Sequence, residues 1–163
     1  WESCVTMGKY WSYHYNETYK SSDDLIRLLV DIVAKGGNLA LNITPQPDGR
    51  LPRPAVERMR KMGEWLKVNG NAIYSTRPLP PYRKDDWAYT RNRVTGEHFA
   101  IRLLMDGEEL KGKQFIPDIK ASKVVQLATG KEFELTKAEG GVIFELPVDF
   151  NPSSVAEVFK LEY

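Results

Sequence analysis

The sequence predicts an α/β segment followed by an all-β domain whose antiparallel strands form a β-sandwich. Two observations predict this order. Within residues 1–77, apolar residues recur at helical spacing on both sides of one short apolar run. Within residues 83–163, short runs of alternating apolar and polar residues are separated by turn sequences, which is typical of sandwich strands. The prolines between these two parts predict a linker at 78–82.

A first helix is predicted to begin after Ser21. Ser21 and Asp24 have the spacing of a capping box, with Asp in the place of the usual Glu. Gly36 suits the left-handed backbone position that ends many helices. Between these signals, apolar residues follow helical spacing at Leu25, Leu28, Leu29, Ile32 and Val33. The segment therefore predicts an amphipathic helix.

A short strand and a second helix are predicted next. Residues 38–43 are nearly all apolar on both faces, as expected for a buried parallel strand. Residues 44–49 are rich in turn residues, and Pro52 and Pro54 suit the start of a helix that Gly70 would end. The apolar stripe of that helix consists of Val56, Met59, Met62, Trp65 and Leu66. The order helix, strand, helix is typical of the end of a repeating β/α architecture.

The all-β part is predicted to contain several short strands. Turn sequences such as MDGEE, ATGKE and AEGG separate the runs. Phe133 and Leu135, and later Val155, Phe159 and Leu161, are the predicted inward positions. The predicted strands are WAYTR, HFAIRLL, KVVQLAT, EFELTKA, GVIFELP and VAEVFKLEY.

Composition narrows the class of protein. The 163 residues carry a net charge of +1, so charge gives no reason to expect nucleic acid or an anionic membrane as a partner. No apolar run approaches the ~20 residues that a membrane span needs, and the single cysteine, Cys4, excludes an intrachain disulfide. The chain begins at Trp1 without an initiator methionine. We therefore expect a piece of a longer protein, with a processed mature protein as the alternative.

The densest group of chemically distinctive residues opens the sequence. Trp1, Trp11 and the carboxylate of Glu2 lie there among three tyrosines and His14. Sugar sites combine aromatic faces with carboxylates, because rings stack on C–H groups and an acid acts at the hydroxyls or the glycosidic oxygen. The segment therefore predicts either a sugar site or an aromatic loop packed against another part of the protein.

Asn42 lies near the end of the predicted strand, where β/α folds place functional groups. Its amide either serves such a site or ties the following turn through backbone groups. His14 and His98 have no partners at ligand spacing, so the sequence predicts no metal site. No cofactor is predicted either, since a glycine-rich phosphate loop is not found.

Several motifs of this chain resemble the family 29 α-L-fucosidases. WESC, YWSYHYNE, KGGN, LNITPQPDG and MGEWLKVNGNAIYSTRP occur in this order within the first half of the chain. The β-rich remainder is similar to the C-terminal sandwich of that family in a looser way. The resemblance implies that residues 1–77 are the last portion of a catalytic (β/α) barrel, that 38–43 is its last strand, and that an antiparallel β-sandwich follows.

The same resemblance implies a retaining exo-α-L-fucosidase that acts on terminal α-L-fucose of glycans. In such enzymes an aspartate nucleophile attacks the anomeric carbon, and a carboxylic acid protonates the leaving oxygen. The nucleophile and the histidines that hold fucose precede Trp1 in the family, so we expect this chain alone to be inactive. Secretion, or a periplasmic or lysosomal location, is expected on the same ground.

The resemblance also assigns site residues. Trp11 matches the aromatic residue that contacts the C5-methyl side of fucose. Glu2 is a candidate acid/base or, as we favour, a carboxylate that organises the pocket. Trp1 and Asn42 complete the predicted substrate-binding set. The sequence departs from the family pattern at three positions, Tyr10, Ser12 and Thr44. Ser12 and Thr44 each replace a glycine, and a residue with a side chain can adopt fewer φ and ψ angles than glycine can.

Two other readings stay open. The chain can be a non-catalytic module whose sandwich either braces a barrel or binds glycans. Bracing is favoured, because Trp87, Tyr89 and Phe99 suit core positions and would then not form an exposed aromatic surface for a glycan. It can also complete a site in trans with a separately encoded barrel piece. Open strand edges and apolar faces would favour association with partner chains, so an oligomer is possible.

Overall fold

The described part of the chain, residues 1–152 and 154–163 of a computed structural model, contains two long helices and three β-sheets. The first sheet is a parallel pair formed by β1 (Glu2–Thr6) and β2 (Asn38–Asn42). Helix α1 (Ser22–Ala34) connects the two strands. The pair is in register along its whole length, so both strands end on the same side. The parallel direction of the predicted strand is confirmed.

The signals that predict α1 operate in the structure. The Ser21 hydroxyl accepts a hydrogen bond from the backbone N–H of Asp24 at 3.0 Å, which caps the helix. Gly36 has a φ of 82°, a value that glycine adopts without strain, and the N–H of Gly37 donates to the Ile32 carbonyl at 2.9 Å. The buried residues of α1 are Leu25, Ile26, Val30, Ile32 and Ala34.

Helix α2 (Arg53–Asn69) begins after Pro52, and a 3₁₀ turn (Gly70–Ala72) follows it. Proline suits this start because it lacks the N–H that the first turn leaves unpaired. Met62 and Trp65 are buried, whereas the other predicted members of the stripe are half-buried. No helix among residues 1–152 and 154–163 is long and apolar enough to cross a membrane.

Two antiparallel sheets form the rest of the structure. The larger sheet has six strands in the order β3-β4-β5-β11-β7-β8, and the smaller one has three in the order β6-β10-β9. The β-rich part is therefore a two-sheet sandwich, as predicted. The strands are β3 (Thr76–Lys84), β4 (Trp87–Asn92), β5 (His98–Leu103), β6 (Gly112–Pro117), β7 (Lys123–Gln126), β8 (Glu132–Glu134), β9 (Thr136–Ala138), β10 (Gly141–Leu146) and β11 (Ala156–Glu162).

The six-stranded sheet is covered on both faces. Ala156 and Val158 of β11 belong to the core that the sheet shares with α1 and α2. Phe159 and Leu161 of the same strand belong to the core between the two sheets, together with Phe144 of β10. The predicted inward positions Phe159 and Leu161 are confirmed, and the alternate residues are buried as well because helices cover the second face.

Side-chain hydrogen bonds cross from the helices to the six-stranded sheet. The indole N–H of Trp65 donates to the Ala156 carbonyl at 3.1 Å, and both groups are buried. On the same face of the sheet, the Thr90 hydroxyl donates to the Ala72 carbonyl at 2.8 Å. Arg27 of α1 donates from Nε to the Leu104 carbonyl at 2.7 Å. The helices are therefore fixed to the sandwich by directional contacts as well as by apolar packing.

The segment 78–82, predicted as a linker, lies inside β3. Pro78 and Arg83 both pair with β4, and the register of the pairing shifts between them. β3 is an edge strand, where proline is tolerated because its missing N–H faces no partner strand. The prolines thus mark an irregular edge strand, and the division of the chain into two domains at this point stays a prediction.

The sequence does not predict β1, β3 or β6. Each is an edge strand of its sheet, and each carries polar or proline residues that mask the alternation of a strand. The expected burial of β2 is wrong, because most of its residues are only half-buried. Among the described residues β2 has one neighbouring strand, so its other edge lies open.

Candidate functional site

The candidate site is the end of the parallel pair at which both strands stop. Thr6 and Asn42 are the last residues of β1 and β2, and they lie opposite each other. In β/α folds, functional groups lie at this carboxyl end of the strands and in the loops that follow. Residues 7–21, which follow β1, are called here the strand-end loop. The aromatic residues of the opening segment, Trp1 excepted, belong to it.

Exposed aromatic side chains dominate the strand-end loop. Trp11 is 62% exposed and Tyr15 is 89% exposed. The rings of Tyr10 and His14 stack at a centroid distance of 4.0 Å. A large ring that is held by the backbone around it and open to solvent can stack on the apolar face of a sugar.

Asn42 joins the two strand ends. Its side-chain Nδ2 donates to the Trp11 carbonyl at 3.3 Å, and its own carbonyl accepts from the backbone N–H of Met7 at 3.0 Å. The amide therefore ties a loop, as one of the two sequence readings expects. The tied segment is the strand-end loop after β1, however, and not the turn that follows Asn42 itself. In this way Asn42 fixes the backbone of Trp11.

Glu17 organises the strand-end loop from within, and sequence reasoning missed it. Its Oε1 accepts the backbone N–H groups of Lys9 and Thr18, both at 2.8 Å, and its Oε2 accepts that of Tyr10 at 3.3 Å. The hydrogen bond from Lys9 is the largest cause that lowers the pKa of Glu17, and partial burial opposes it. A Cβ at Gly8 would lie 2.4 Å from Cδ of Glu17, so this approach needs glycine.

A lysine closes the base of the strand-end loop. Lys20 Nζ donates to the carbonyls of Thr6 and Gly8 at 2.7 and 3.2 Å, and its backbone N–H donates to the Met7 carbonyl at 2.9 Å. Arg58 of α2 in turn donates to the Lys20 carbonyl at 2.5 Å. The loop is thereby anchored to β1 and to α2. The only local sequence feature that could have indicated these anchors is the presence of one carboxylate and two lysines in an otherwise largely aromatic and polar segment.

Trp1 and Glu2 lie at the opposite end of the parallel pair. Glu2 begins β1 and lies opposite Asn38, the first residue of β2. Trp1 rests on the turn after α1: its Nε1 donates to the Lys35 carbonyl at 3.2 Å, and a Cβ at Gly37 would lie 2.5 Å from its ring. The exposed Glu2 carboxylate lies 3.9 Å from the Cys4 thiol on the same strand.

The structure therefore divides the predicted site residues into two groups. Trp11 and Asn42 come together at the carboxyl end of the strands. Trp1 and Glu2 lie about four residues of strand away, which is roughly 13 Å at the usual rise. The structure does not bring the four predicted residues together, because Glu2 begins β1 whereas Trp11 follows its end.

Other candidate groups are accounted for by burial. Trp87 is 4% exposed, and Tyr89 and Phe99 are fully buried, so these rings are core residues. The Tyr89 hydroxyl donates to the Pro117 carbonyl at 3.1 Å, and burial raises the pKa of that hydroxyl well above its usual range. Among residues 1–152 and 154–163, no group of three or more His, Cys, Asp and Glu side chains could hold a metal ion.

Comparison with known proteins identifies similar sequences of one family. The profile of the Alpha-L-fucosidase family matches residues 1–71. The plasma alpha-L-fucosidase of Pongo abelii is 45% identical over 160 residues, and that of Rattus norvegicus is 35% identical over 160 residues. Both alignments cover 90% of this chain and 34% of the relative. The chain thus spans about a third of the length of these curated relatives.

Solved structures match nearly the whole chain. The Thermotoga maritima alpha-fucosidase in complex with fucose is 29% identical, with a TM-score of 0.85 over 99% of this chain and 39% of its own. The alpha-L-fucosidase isoenzyme 1 from Paenibacillus thiaminolyticus has a TM-score of 0.86 at 23% identity and shares the fold. On sequence and fold together, this chain belongs to the family 29 α-L-fucosidases, which are glycoside hydrolases.

Proposed function

We propose that this chain is the C-terminal part of a retaining exo-α-L-fucosidase that hydrolyses terminal α-L-fucose from glycans. The alignments support this proposal, since they cover nine-tenths of the chain but a third of its curated relatives. On this proposal residues 1–77 complete a (β/α) barrel whose earlier strands carry the aspartate nucleophile. The 163-residue chain by itself then has no turnover.

One observation carries the proposal for the role of this chain. Trp11 is exposed at the carboxyl end of β1, and Asn42 at the end of β2 holds its carbonyl. We infer that the Trp11 ring contacts the apolar C5-methyl side of fucose, while carboxylates from the rest of the barrel perform the chemistry. In a retaining reaction one carboxylate forms the glycosyl–enzyme bond and the other first protonates the leaving oxygen and then activates water.

Glu2 is better assigned outside the reacting centre. Its position at the start of β1 supports neither of the roles that resemblance allowed it, because the sugar would lie at the other end of the strand. We propose that the acid/base also comes from the part of the barrel that precedes Trp1. Replacement of Glu2 by Gln should then leave kcat/KM on an aryl α-L-fucoside within about twofold.

Two tryptophans of nearly equal exposure allow a matched test of the Trp11 role. Trp11→Ala and Trp1→Ala are compared in the longer protein, since the two rings are 62% and 64% exposed at opposite strand ends. A methyl group in an apolar contact is worth about 10–200-fold in discrimination. Trp11→Ala should lose about that factor in kcat/KM for an aryl α-L-fucoside.

The same variants distinguish contact with the methyl group from general damage. Wild type and Trp1→Ala should prefer the fucoside to an aryl glycoside that lacks the C5-methyl group, whereas Trp11→Ala should lose most of this preference. An equal loss on both substrates would point to disorder of the strand-end loop and contradict the proposed contact.

The sandwich has a separate proposed role as a brace for the barrel portion. Trp65, Thr90 and Arg27 make the directional contacts between the helices and the six-stranded sheet. The burial of the sandwich aromatics disfavours glycan binding through those rings. A destabilised barrel portion in variants of Trp65, Thr90 or Arg27 would support the role as a brace.

The partner implied by the proposed activity is a fucosylated glycan. We also propose a secreted, periplasmic or lysosomal location.

A further inference from the structure

Two Asn-x-Thr triplets occur in the first half of the chain. The first, Asn-Glu-Thr at 16–18, lies in the strand-end loop, and the second, Asn-Ile-Thr at 42–44, begins at the last residue of β2. Such a triplet, with any residue except proline in the middle, is the acceptor sequence for an N-linked glycan on a surface loop. Because triplets also arise by chance, the surroundings of each asparagine decide which of them can accept a glycan.

The asparagine of the second triplet is held within the fold. Asn42 lies opposite Thr6 in the parallel pair, and its backbone carbonyl accepts from the N–H of Met7 at 3.0 Å. Its side-chain Nδ2, the atom to which a glycan would be attached, donates to the Trp11 carbonyl at 3.3 Å. A glycan on this nitrogen would crowd the backbone of Trp11. The second triplet is therefore a poor acceptor.

The asparagine of the first triplet lies on the surface. Asn16 is exposed, in a turn with Tyr15, whose side chain is 89% exposed. Within residues 1–152 and 154–163, the Asn16 side chain takes part in no hydrogen bond. A bulky polar group attached to Asn16 would therefore break no hydrogen bond of the described fold.

The turn by itself does not require asparagine at this position. Asparagine is common in turns because it tolerates a left-handed backbone and because its side chain bonds to the backbone two residues on. In the described chain, Asn16 is not among the non-glycine residues with positive φ. The backbone N–H two residues on, that of Thr18, donates instead to Oε1 of Glu17 at 2.8 Å. Neither of the usual structural reasons for an asparagine applies here.

The rest of the first triplet is also arranged as an acceptor sequence requires. Glu17 is half-buried, and its carboxylate accepts the backbone N–H groups of Lys9 and Tyr10 inside the loop. Thr18 is exposed, and its hydroxyl forms no hydrogen bond in the part of the chain that the structure describes. The middle residue thus anchors the triplet, while the asparagine and the threonine stay accessible.

We propose that Asn16 carries an N-linked glycan. In the transfer, Nδ2 of Asn16 forms a bond to C1 of the first sugar of a lipid-pyrophosphate-linked oligosaccharide. The bond between that C1 and the phosphate oxygen breaks, the lipid pyrophosphate leaves, and the amide nitrogen gives up one proton. A glycan at Asn16 requires a chain that enters the secretory pathway, and so it rests on the secreted or lysosomal location given with the proposed function.

The test is peptide mapping of the longer protein purified from the cells that make it. Treatment with peptide-N-glycosidase in heavy-oxygen water converts a glycosylated asparagine into a labelled aspartate, which mass spectrometry locates. We expect the label at Asn16 in most molecules and no label at Asn42. An unlabelled Asn16 would overturn the inference, and a labelled Asn42 would contradict the structural distinction between the two triplets.

Three variants, expressed in a secreting eukaryotic host, assign the glycan to this triplet. Asn16→Gln and Thr18→Ala should each remove one glycan from the protein. Thr18→Ser is the matched control and should keep it, because serine supplies the same hydroxyl at the same exposed position. A glycan that Thr18→Ala retains, or that Thr18→Ser loses as completely as Thr18→Ala, would refute the assignment to Asn16.

Fucose release separates a failure of this inference from a failure of the proposed function. Asn16 makes no hydrogen bond to Trp11 or Asn42 among the described residues, so Asn16→Gln should keep kcat/KM on an aryl α-L-fucoside within about twofold. An active protein with an unmodified Asn16 would overturn the glycan alone. A glycosylated protein that releases no fucose would overturn the fucosidase proposal and leave the glycan in place.

Discussion

The contact between Trp65 and the sandwich gives the sharpest stability prediction. Trp65 is 6% exposed, and its indole N–H donates to the Ala156 carbonyl at 3.1 Å. β11 pairs with β7 only from Phe159 onward, so the Ala156 carbonyl lies outside the paired part of these two strands. Trp65→Phe keeps an aromatic ring in place but removes the donor, and it leaves a buried acceptor without this partner.

The magnitude follows from two contributions. An unsatisfied buried acceptor costs about 1–3 kcal/mol, and the missing part of the indole adds a small cavity worth about 1 kcal/mol. We expect Trp65→Phe to lower the free energy of unfolding by about 2–4 kcal/mol. For a chain of this size that corresponds to a melting temperature lower by roughly 4–16 °C.

The assay is reversible unfolding in denaturant, with a matched control on the surface. Trp11→Phe makes the same chemical change at a ring that is 62% exposed, and it should change the free energy of unfolding by less than about 0.5 kcal/mol. A loss for Trp65→Phe no larger than that for Trp11→Phe would refute the reasoning that the indole fixes α2 to the six-stranded sheet.

Three further predictions concern α1, the glycines and the strand-end loop. Ser21→Ala should cost about 1 kcal/mol in urea unfolding, because α1 loses its N-terminal cap; Ser21→Asn should restore most of the loss. Gly63→Ala should stabilise α2 by about 0.5–1 kcal/mol, since its Cβ meets nothing within 4 Å, whereas Gly8→Ala should destabilise by pushing Glu17 away; calorimetry that ranks them the other way would contradict the clash. Hydrogen bonds from the backbone N–H groups of Lys9, Tyr10 and Thr18 lower the pKa of Glu17 in the folded chain. The stabilisation of the strand-end loop by the Glu17 carboxylate is therefore fully present above the ordinary pKa of 4.5, and it is lost as the pH falls through the lower pKa of the folded state. Loop amide signals in NMR should report this transition, and Glu17→Gln should abolish it.

Local signals predicted the helices well because those signals act over a few residues. The cap at Ser21, the glycine at Gly36 and the proline before α2 each fix backbone geometry nearby, and each operates in the structure. The prolines at 78–82 were harder to interpret, because the same residues mark a linker and an irregular edge strand. Only pairing with β4, which is a tertiary contact, distinguishes the two.

The candidate site was predictable in part. The family resemblance pointed to Trp11 within the aromatic opening segment, and the end of a short apolar strand pointed to Asn42. The sequence could not place Trp1 and Glu2, because they are close to Trp11 along the chain but separated from it by the length of β1. The anchoring role of Glu17 depends on the backbone N–H groups of Lys9 and Tyr10, eight and seven residues before it, and such contacts leave no periodic pattern in the sequence.

The most direct measurement is fucose release from an aryl α-L-fucoside by the longer protein in which a barrel precedes Trp1, compared with residues 1–163 alone. Our account predicts release by the longer protein, no release by the 163-residue chain, and loss of release when the upstream nucleophilic aspartate is replaced. Turnover by the 163-residue chain itself, or a fully active protein without residues 1–77, would contradict the claim that this chain completes a fucosidase barrel.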